Sequence, residues 1–168
     1  MLFNPKVCMK AYFLLTLTVF VFSCSSQEEK ELIGQLKFIT EKSANSKVIV
    51  DMASIANFAW DSLYFFNEYE DAAYISDVIG FNWTGKPVEN NKKRLLFVQN
   101  SKVISYVDYD FSELPIYLYW CNKEKQSYKR DEAKFMVLKT CDNTILIYSY
   151  IPLKCIDKYK KKLSMRCP

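Results

Sequence analysis

Residues 94–109 read Arg94-Leu95-Leu96-Phe97-Val98-Gln99-Asn100-Ser101-Lys102-Val103-Ile104-Ser105-Tyr106-Val107-Asp108-Tyr109, and this stretch decides the fold class. Two runs rich in branched and aromatic side chains flank the polar triplet Gln99-Asn100-Ser101. Such side chains pack well on a pleated surface, and a short polar break between two such runs is a hairpin signal. In the second run Val103, Ser105, Val107 and Tyr109 alternate with Lys102, Ile104, Tyr106 and Asp108. Successive side chains of a strand point to opposite faces. Both sets hold apolar residues, so the strand is expected to be covered on both faces.

Outward from the hairpin, further strands are expected at 116–121 and at 60–66, with a short one at 47–52. A second hairpin is expected from 134–138 and 144–150 around Cys141-Asp142-Asn143, ended by Pro152. Helical spacing is present at 28–42, where Leu32, Ile33, Leu36 and Ile39 recur at three- and four-residue steps. Asp71 offers an N-cap and Gly80 a C-cap for a helix through Ile79, with Ile75, Val78 and Ile79 facing the core. Residues 154–168 form a basic tail expected to hold a last helix, and 83–93 and 122–131 read as polar, solvated segments. Residues 55–58 fit neither period. The fold class is α+β: an antiparallel β-sheet built from sequential hairpins with flanking short helices. The 168 residues suit one domain, placed at 32–168.

The amino-terminal segment is of another kind. Lys6 and Lys10 precede the uncharged run Ala-Tyr-Phe-Leu-Leu-Thr-Leu-Thr-Val-Phe-Val-Phe at 11–22. As a helix it would span roughly 18 Å, short of the ~30 Å hydrocarbon core of a bilayer. A secretory signal suits that length. Val21-Phe22-Ser23-Cys24 resembles the lipobox of bacterial lipoproteins, with Val21, Ser23 and Cys24 at the matching positions and a bulkier Phe22 between them. The resemblance implies a signal peptide over 1–23, cleavage before Cys24, and lipidation of the Cys24 thiol with acyl chains such as palmitate. At ~0.8 kcal/mol per buried methylene, two or three chains anchor a protein essentially permanently. The polar stretch 24–31 reads as a tether. Ser25 is not the Asp that retains lipoproteins in the inner membrane, so the resemblance implies a cell-envelope, outer-membrane location.

Of six cysteines, Cys8 would leave with the signal and Cys24 would carry lipid. Cys121, Cys141, Cys155 and Cys167 remain, an even number in an exported chain, which points to two disulfides. Cys121–Cys141 and Cys155–Cys167 are the favoured pairs, tying two neighbouring strands and stapling the tail. No two of the four form a Cys-x-x-Cys unit, so a zinc site is not expected.

Residues 58–111 resemble a broad group of small bacterial lipoproteins without an assigned activity. The likeness rests on Trp60-Asp61 opening an aromatic strand, on Tyr69, Ile79-Gly80 and Phe81-Asn82-Trp83, and on Lys102-Val103-Ile104-Ser105-Tyr106 in the hairpin. It implies a fold and a localisation and no catalytic residue.

The chain has no histidine, which removes Ser-His-Asp and Cys-His catalysis and imidazole metal ligation. No glycine-rich phosphate loop occurs, and no cofactor or metal is expected. Carboxylates cluster at Asp108 and Asp110 and at Glu68, Glu70 and Asp71, where solvated strand ends are the simpler reading of such weak motifs. Trp60 and Asp61 are the candidate ligand contacts, because aromatic and acidic side chains mark clefts. The simpler reading makes Trp60 a core anchor and Asp61 a backbone cap. Lys158, Lys160, Lys161, Lys162 and Arg166 form a basic patch. Tyr117 with Tyr119, and Tyr148 with Tyr150, share alternation phase within their strands. Of the 23 basic residues, Lys6 and Lys10 leave with the signal; none of the 19 acidic ones do, so the precursor's net +4 falls to +2. That balance gives no nucleic-acid partner.

The expectation is a non-enzymatic envelope lipoprotein acting as a binding module. Its partners would be the membrane, through lipid on Cys24, and an envelope protein. The alternatives are an immunity lipoprotein that neutralises a toxin, and a glycan hydrolase using carboxylates alone.

Overall fold

The central hairpin forms as β3 (Lys92–Gln99) and β4 (Lys102–Asp110), with Leu95 paired to Val107 and Leu96 to Tyr106. Asn100 and Ser101 turn it with φ of 50° and 56°. Positive φ at both central residues matches the right-handed strand twist in two-residue hairpins. The computed structural model describes residues 24–43, 48–122, 126–142 and 145–160. The expected signal peptide, and Cys167 with the end of the tail, lie outside the described residues.

The other elements are α1 (Cys24–Ser43), β1 (Val48–Asp51), α2 (Met52–Ile55), β2 (Ser62–Phe66), α3 (Ala72–Ile79), β5 (Ile116–Leu118), β6 (Ser127–Lys129), β7 (Lys134–Asp142) and β8 (Ile145–Pro152). A 3-10 turn (Leu153–Cys155) leads into α4 (Ile156–Lys160). The class is α+β. In place of one sheet the described residues form two, each of four strands, ordered β1-β7-β8-β5 and β4-β3-β2-β6. Two pairings are sequential hairpins, β3–β4 and β7–β8. The remaining antiparallel pairs include β1 with β7 and β2 with β6, which are far apart in the chain. β5 lies parallel to β8. Among the described residues no helix is long and apolar enough to cross a membrane.

The two sheets enclose the larger core. Leu95 and Phe97 of β3 point into it, with Trp60, Leu63, Phe65, Phe135 and Tyr150. Leu96 and Val98, in the opposite phase, enter a smaller core with Phe66, Ile75, Ile79 and Val88. β3 is therefore covered on both faces. β4 keeps Val107 and Tyr109 in the larger core, but a bulge falls between the pairs Phe97–Ser105 and Val98–Val103. The extra residue flips the phase, so Val103 packs on the smaller core and Ile104 is 38% exposed.

α3 forms as the caps require. Asp71 Oδ1 accepts from the Tyr74 N–H at 2.9 Å, and Gly80 closes the helix at φ 82° with its N–H on the Ser76 carbonyl. α1 is longer than expected and takes in the whole stretch 24–31 that the sequence presents as a tether. Leu32 and Leu36 are buried in the larger core, and Thr40 Oγ1 lies 3.0 Å from Tyr150 Oη. Burial pushes the Tyr150 hydroxyl up to about 12.

The favoured disulfide pairs are overturned: Cys121 bonds Cys155, their Cα atoms 5.6 Å apart. The cause is the parallel β5–β8 pairing. With Leu118 opposite Tyr150, the chain past β5 runs alongside the chain past β8 and brings Cys121 to the 3-10 turn. Cys141 is disulfide-bonded as well, to neither of these two.

Arg94 is fully buried in the smaller-core phase of β3. Its Nε and Nη2 donate to the two oxygens of Asp108 at 2.6 and 2.7 Å, and Nη1 donates to the Lys86 carbonyl at 2.6 Å. The guanidinium also lies over the Tyr106 and Trp83 rings, at 4.5 and 5.2 Å. A buried charge is tolerated only when paired and hydrogen-bonded, and this one also pins residues 81–88 over the core. Asp108→Ala should therefore lower unfolding free energy by about 3–5 kcal/mol, as for other buried pairs broken from one side. Urea unfolding measures it; a loss below about 1 kcal/mol would mean the pair is screened like a surface bridge.

Candidate functional site

The site is built where the chain leaves α2 and enters β2. The Asp61 N–H donates to the Val98 carbonyl at 2.8 Å, and the Arg130 N–H to the Asp61 carbonyl at 3.0 Å, so residues 60–61 are locked between β3 and the end of β6. Trp60 is 2% exposed and meets Phe97 edge to face at 5.5 Å. Phe58 meets the same ring at 5.0 Å. The Arg130 guanidinium lies 5.3 Å from the Trp60 ring. Its Nη1 donates to the Phe58 carbonyl at 2.9 Å and its Nη2 to the Ala53 carbonyl at 3.2 Å. One arginine thus ties α2 and the 56–59 loop to β6. Trp60 Nε1 is buried with no hydrogen-bond partner among the described residues. A buried donor left unpaired costs about 1–3 kcal/mol, and such exceptions call for an explanation.

Two open depressions flank this pair, of about 420 and 470 Å³, both walled by Ala53, Trp60 and Arg130. The first adds Ser54, Asn57, Phe58 and Gln99, and among the described residues Arg130 is the only charged side chain on its wall. The second adds Asp51, Asp61, Lys129, Asp131 and Lys134, three acids and two bases whose surplus negative charge is offset by Arg130. There Lys134 Nζ sits 3.6 Å from Asp51 Oδ2, while Asp51 Oδ1 accepts from the Ala53 N–H at 3.0 Å. A guanidinium beside aromatic and amide groups suits carbonyl and carboxylate acceptors on a partner. Asp61 lines the charged side, but its Oδ2 accepts from the Asn100 N–H at 2.7 Å and so caps the β3–β4 turn.

The other candidates fall apart from this site. Asp110 Oδ1 accepts from the Ser112 N–H and hydroxyl and from Asn91 Nδ2, and the Ser112 bonds hold its carboxyl below the usual range. Glu68 Oε2 accepts from the Asn91 N–H, and Glu70 Oε2 from the Asn67 N–H, both at 2.8 Å. Burial pushes the Glu70 carboxyl up. No group of three or more metal-ligating acids or cysteines occurs among the described residues. Tyr148 and Tyr150 register with Ile116 and Leu118, out of phase with Tyr117, so the tyrosines do not form one surface. Lys158 donates to the Cys121 carbonyl at 3.0 Å. Lys161, Lys162 and Arg166 of the basic patch lie outside the described residues, as does the Lys160 side chain.

Arg130 is the residue that sequence reading missed. It sits in the charged stretch 122–131, and the only signal was Ser127-Tyr128, too short to mark the strand that places it. A further depression, of about 350 Å³, separates α1 from β4 and brings Glu29 and Asp108 together. Both Asp108 oxygens are held by Arg94, so this pair does not present two free carboxylates. No family model, curated protein or solved structure matches the chain.

Burial, and then the Asp108 charge, push the Glu29 carboxyl above the ordinary range. The folded chain therefore binds that proton more tightly than the unfolded chain. Stability from this group is present at low pH and is lost as pH rises from about 4.3 through the folded value. Glu29→Gln should flatten that fall and raise the thermal midpoint at pH 7, with little change at pH 4. Thermal melts across pH 4–7 test it, and an unchanged slope contradicts the assignment.

Proposed function

We propose that the chain is the precursor of a bacterial lipoprotein, cleaved before Cys24 and held on the cell envelope, at the outer membrane where the host has one. Its domain is a non-catalytic binding module that meets an envelope protein through the Trp60–Arg130 depression. The first part rests on the charged start, the short apolar run and Val21-Phe22-Ser23-Cys24. The observation that carries the second is Arg130, among the described residues the lone charge on a wall of neutral amides and aromatic rings, beside a buried indole with no hydrogen-bond partner among those residues. The non-catalytic reading is supported by how the nearby charged groups are engaged. Arg130 holds two carbonyls, Asp61 the hairpin turn and Asp51 the start of α2.

A photo-crosslinking residue at Ala59, on the rim, should capture a discrete envelope protein in cells, while one at exposed Asp77 on α3 should not. Cys24→Ala should move the protein out of the membrane fraction. Equal capture at both positions, or none, contradicts the binding face. A Cys24→Ala variant that stays with the membrane contradicts the anchor.

A further inference from the structure

We infer that α1 holds the domain directly against the surface of its own membrane, with the rim around Asn57 and Phe58 seated on the lipid headgroup layer. This orientation rests on the lipid anchor at Cys24.

A flexible tether of eight residues would let the domain wander by roughly 16 Å. The chain has no such segment after Cys24, because α1 is continuous from Cys24 to Ser43. At about 1.5 Å of rise per residue, Leu32 lies about 12 Å from Cys24. Leu32 is 2% exposed and Leu36 1%, both in the larger core, and Thr40 bonds Tyr150. The helix that leads from the anchor is therefore a structural member of the domain and fixes its direction.

The neighbours of the first turns say which part of the domain lies lowest. Glu28 and Glu31 line one crevice with Leu32, Ile55, Asn57 and Phe58. Glu28 is about 6 Å of helix from Cys24. The polar headgroup region of one leaflet is about 5–8 Å thick. The 56–59 loop thus sits beside the anchor at headgroup depth. The far end is the β7–β8 tip: β7 starts at Lys134, beside Arg130 and Asp51, and its nine residues carry the chain about 26 Å away. Ile145 opens β8 there and is 61% exposed.

Charge does not cause this contact. Glu28, Glu29 and Glu31 stand at the same end and offer no attraction to anionic lipid. The covalent anchor and the rigid helix impose it, so it should hold on a zwitterionic surface. One consequence bears on the partner. Asn57 and Phe58 wall the Arg130 depression as well as the α1 crevice, so the depression opens next to the bilayer. A partner that reaches it must itself sit at the membrane surface.

The test uses the full lipidated protein in phosphatidylcholine vesicles. A fluorophore is placed through a non-natural amino acid at position 57 or 145, and a headgroup-spin-labelled lipid is the quencher. Flotation with the vesicles reports the anchor independently. In floating protein, the label at 57 should lose most of its emission and the label at 145 should keep most of it. Eight Gly-Ser residues inserted after Ser26 should abolish the difference while leaving the thermal midpoint unchanged. Equal quenching at 57 and 145, or none at 57, in protein that floats overturns the orientation and leaves the anchor standing. Protein that does not float contradicts the anchor, and the orientation with it.

Discussion

The two-sided burial of β3 is the constraint from which the rest of the structure follows. Leu95 and Phe97 need a cover on one face, Leu96 and Val98 on the other. Each such side chain contributes about 1.5–3 kcal/mol when withdrawn from water, so neither face can be left open. The second sheet and α1 cover one face; α3 and residues 81–88 cover the other. The same alternation forces charged residues inward where the strand begins. Arg94 falls in the smaller-core phase and is clamped by Asp108 between Trp83 and Tyr106. Lys93 falls in the larger-core phase, 9% exposed, with Glu68 at 3.7 Å and the Phe111 ring at 5.2 Å.

What could be read from the chain was what local bonds decide. The α3 caps depend on Asp71 and Gly80, each within a turn of its partner. The hairpin turn depends on Asn100 and Ser101, which accept a left-handed backbone. Alternation in the second strand led to an expectation of cover on both its faces; the structure gives that burial to β3, while β4 buries Val107 and Tyr109 and leaves its other face half-exposed. What stayed hidden was set by distant partners. Alternation says which residues share a face, not which strands meet, and so the second sheet, the β2–β6 pair and the parallel β5–β8 pair did not show. The disulfide went with them, since the β5–β8 register brings Cys121 to Cys155. The bulge at Phe97/Val98 likewise depends on the paired strand. Arg130 looked solvated because its carbonyl partners on Phe58 and Ala53 are 72 and 77 residues away. Trp60 follows the simpler reading as a core anchor, and Asp61 follows it as a cap.

The proposed function joins two parts of the molecule through one helix. α1 begins at the cysteine of the lipobox-like motif and ends with Thr40 on Tyr150, deep in the larger core. The loop beside its first turns is also the wall of the Arg130 depression. The proposed anchor and the proposed contact surface are thus neighbours, and the geometry of one would determine the access of the other. Without lipid on Cys24, the short apolar run and the placement of the proposed binding face lose their common explanation.

The direct measurement is the intact mass of the native mature protein, before and after reduction. The account predicts a chain starting at Cys24 with a diacyl or triacyl adduct on that residue. It also predicts a gain of about four hydrogens on reduction, two for the Cys121–Cys155 bond and two for the bond made by Cys141. An unmodified chain that starts elsewhere, or one with free thiols at Cys121 and Cys155, would contradict it.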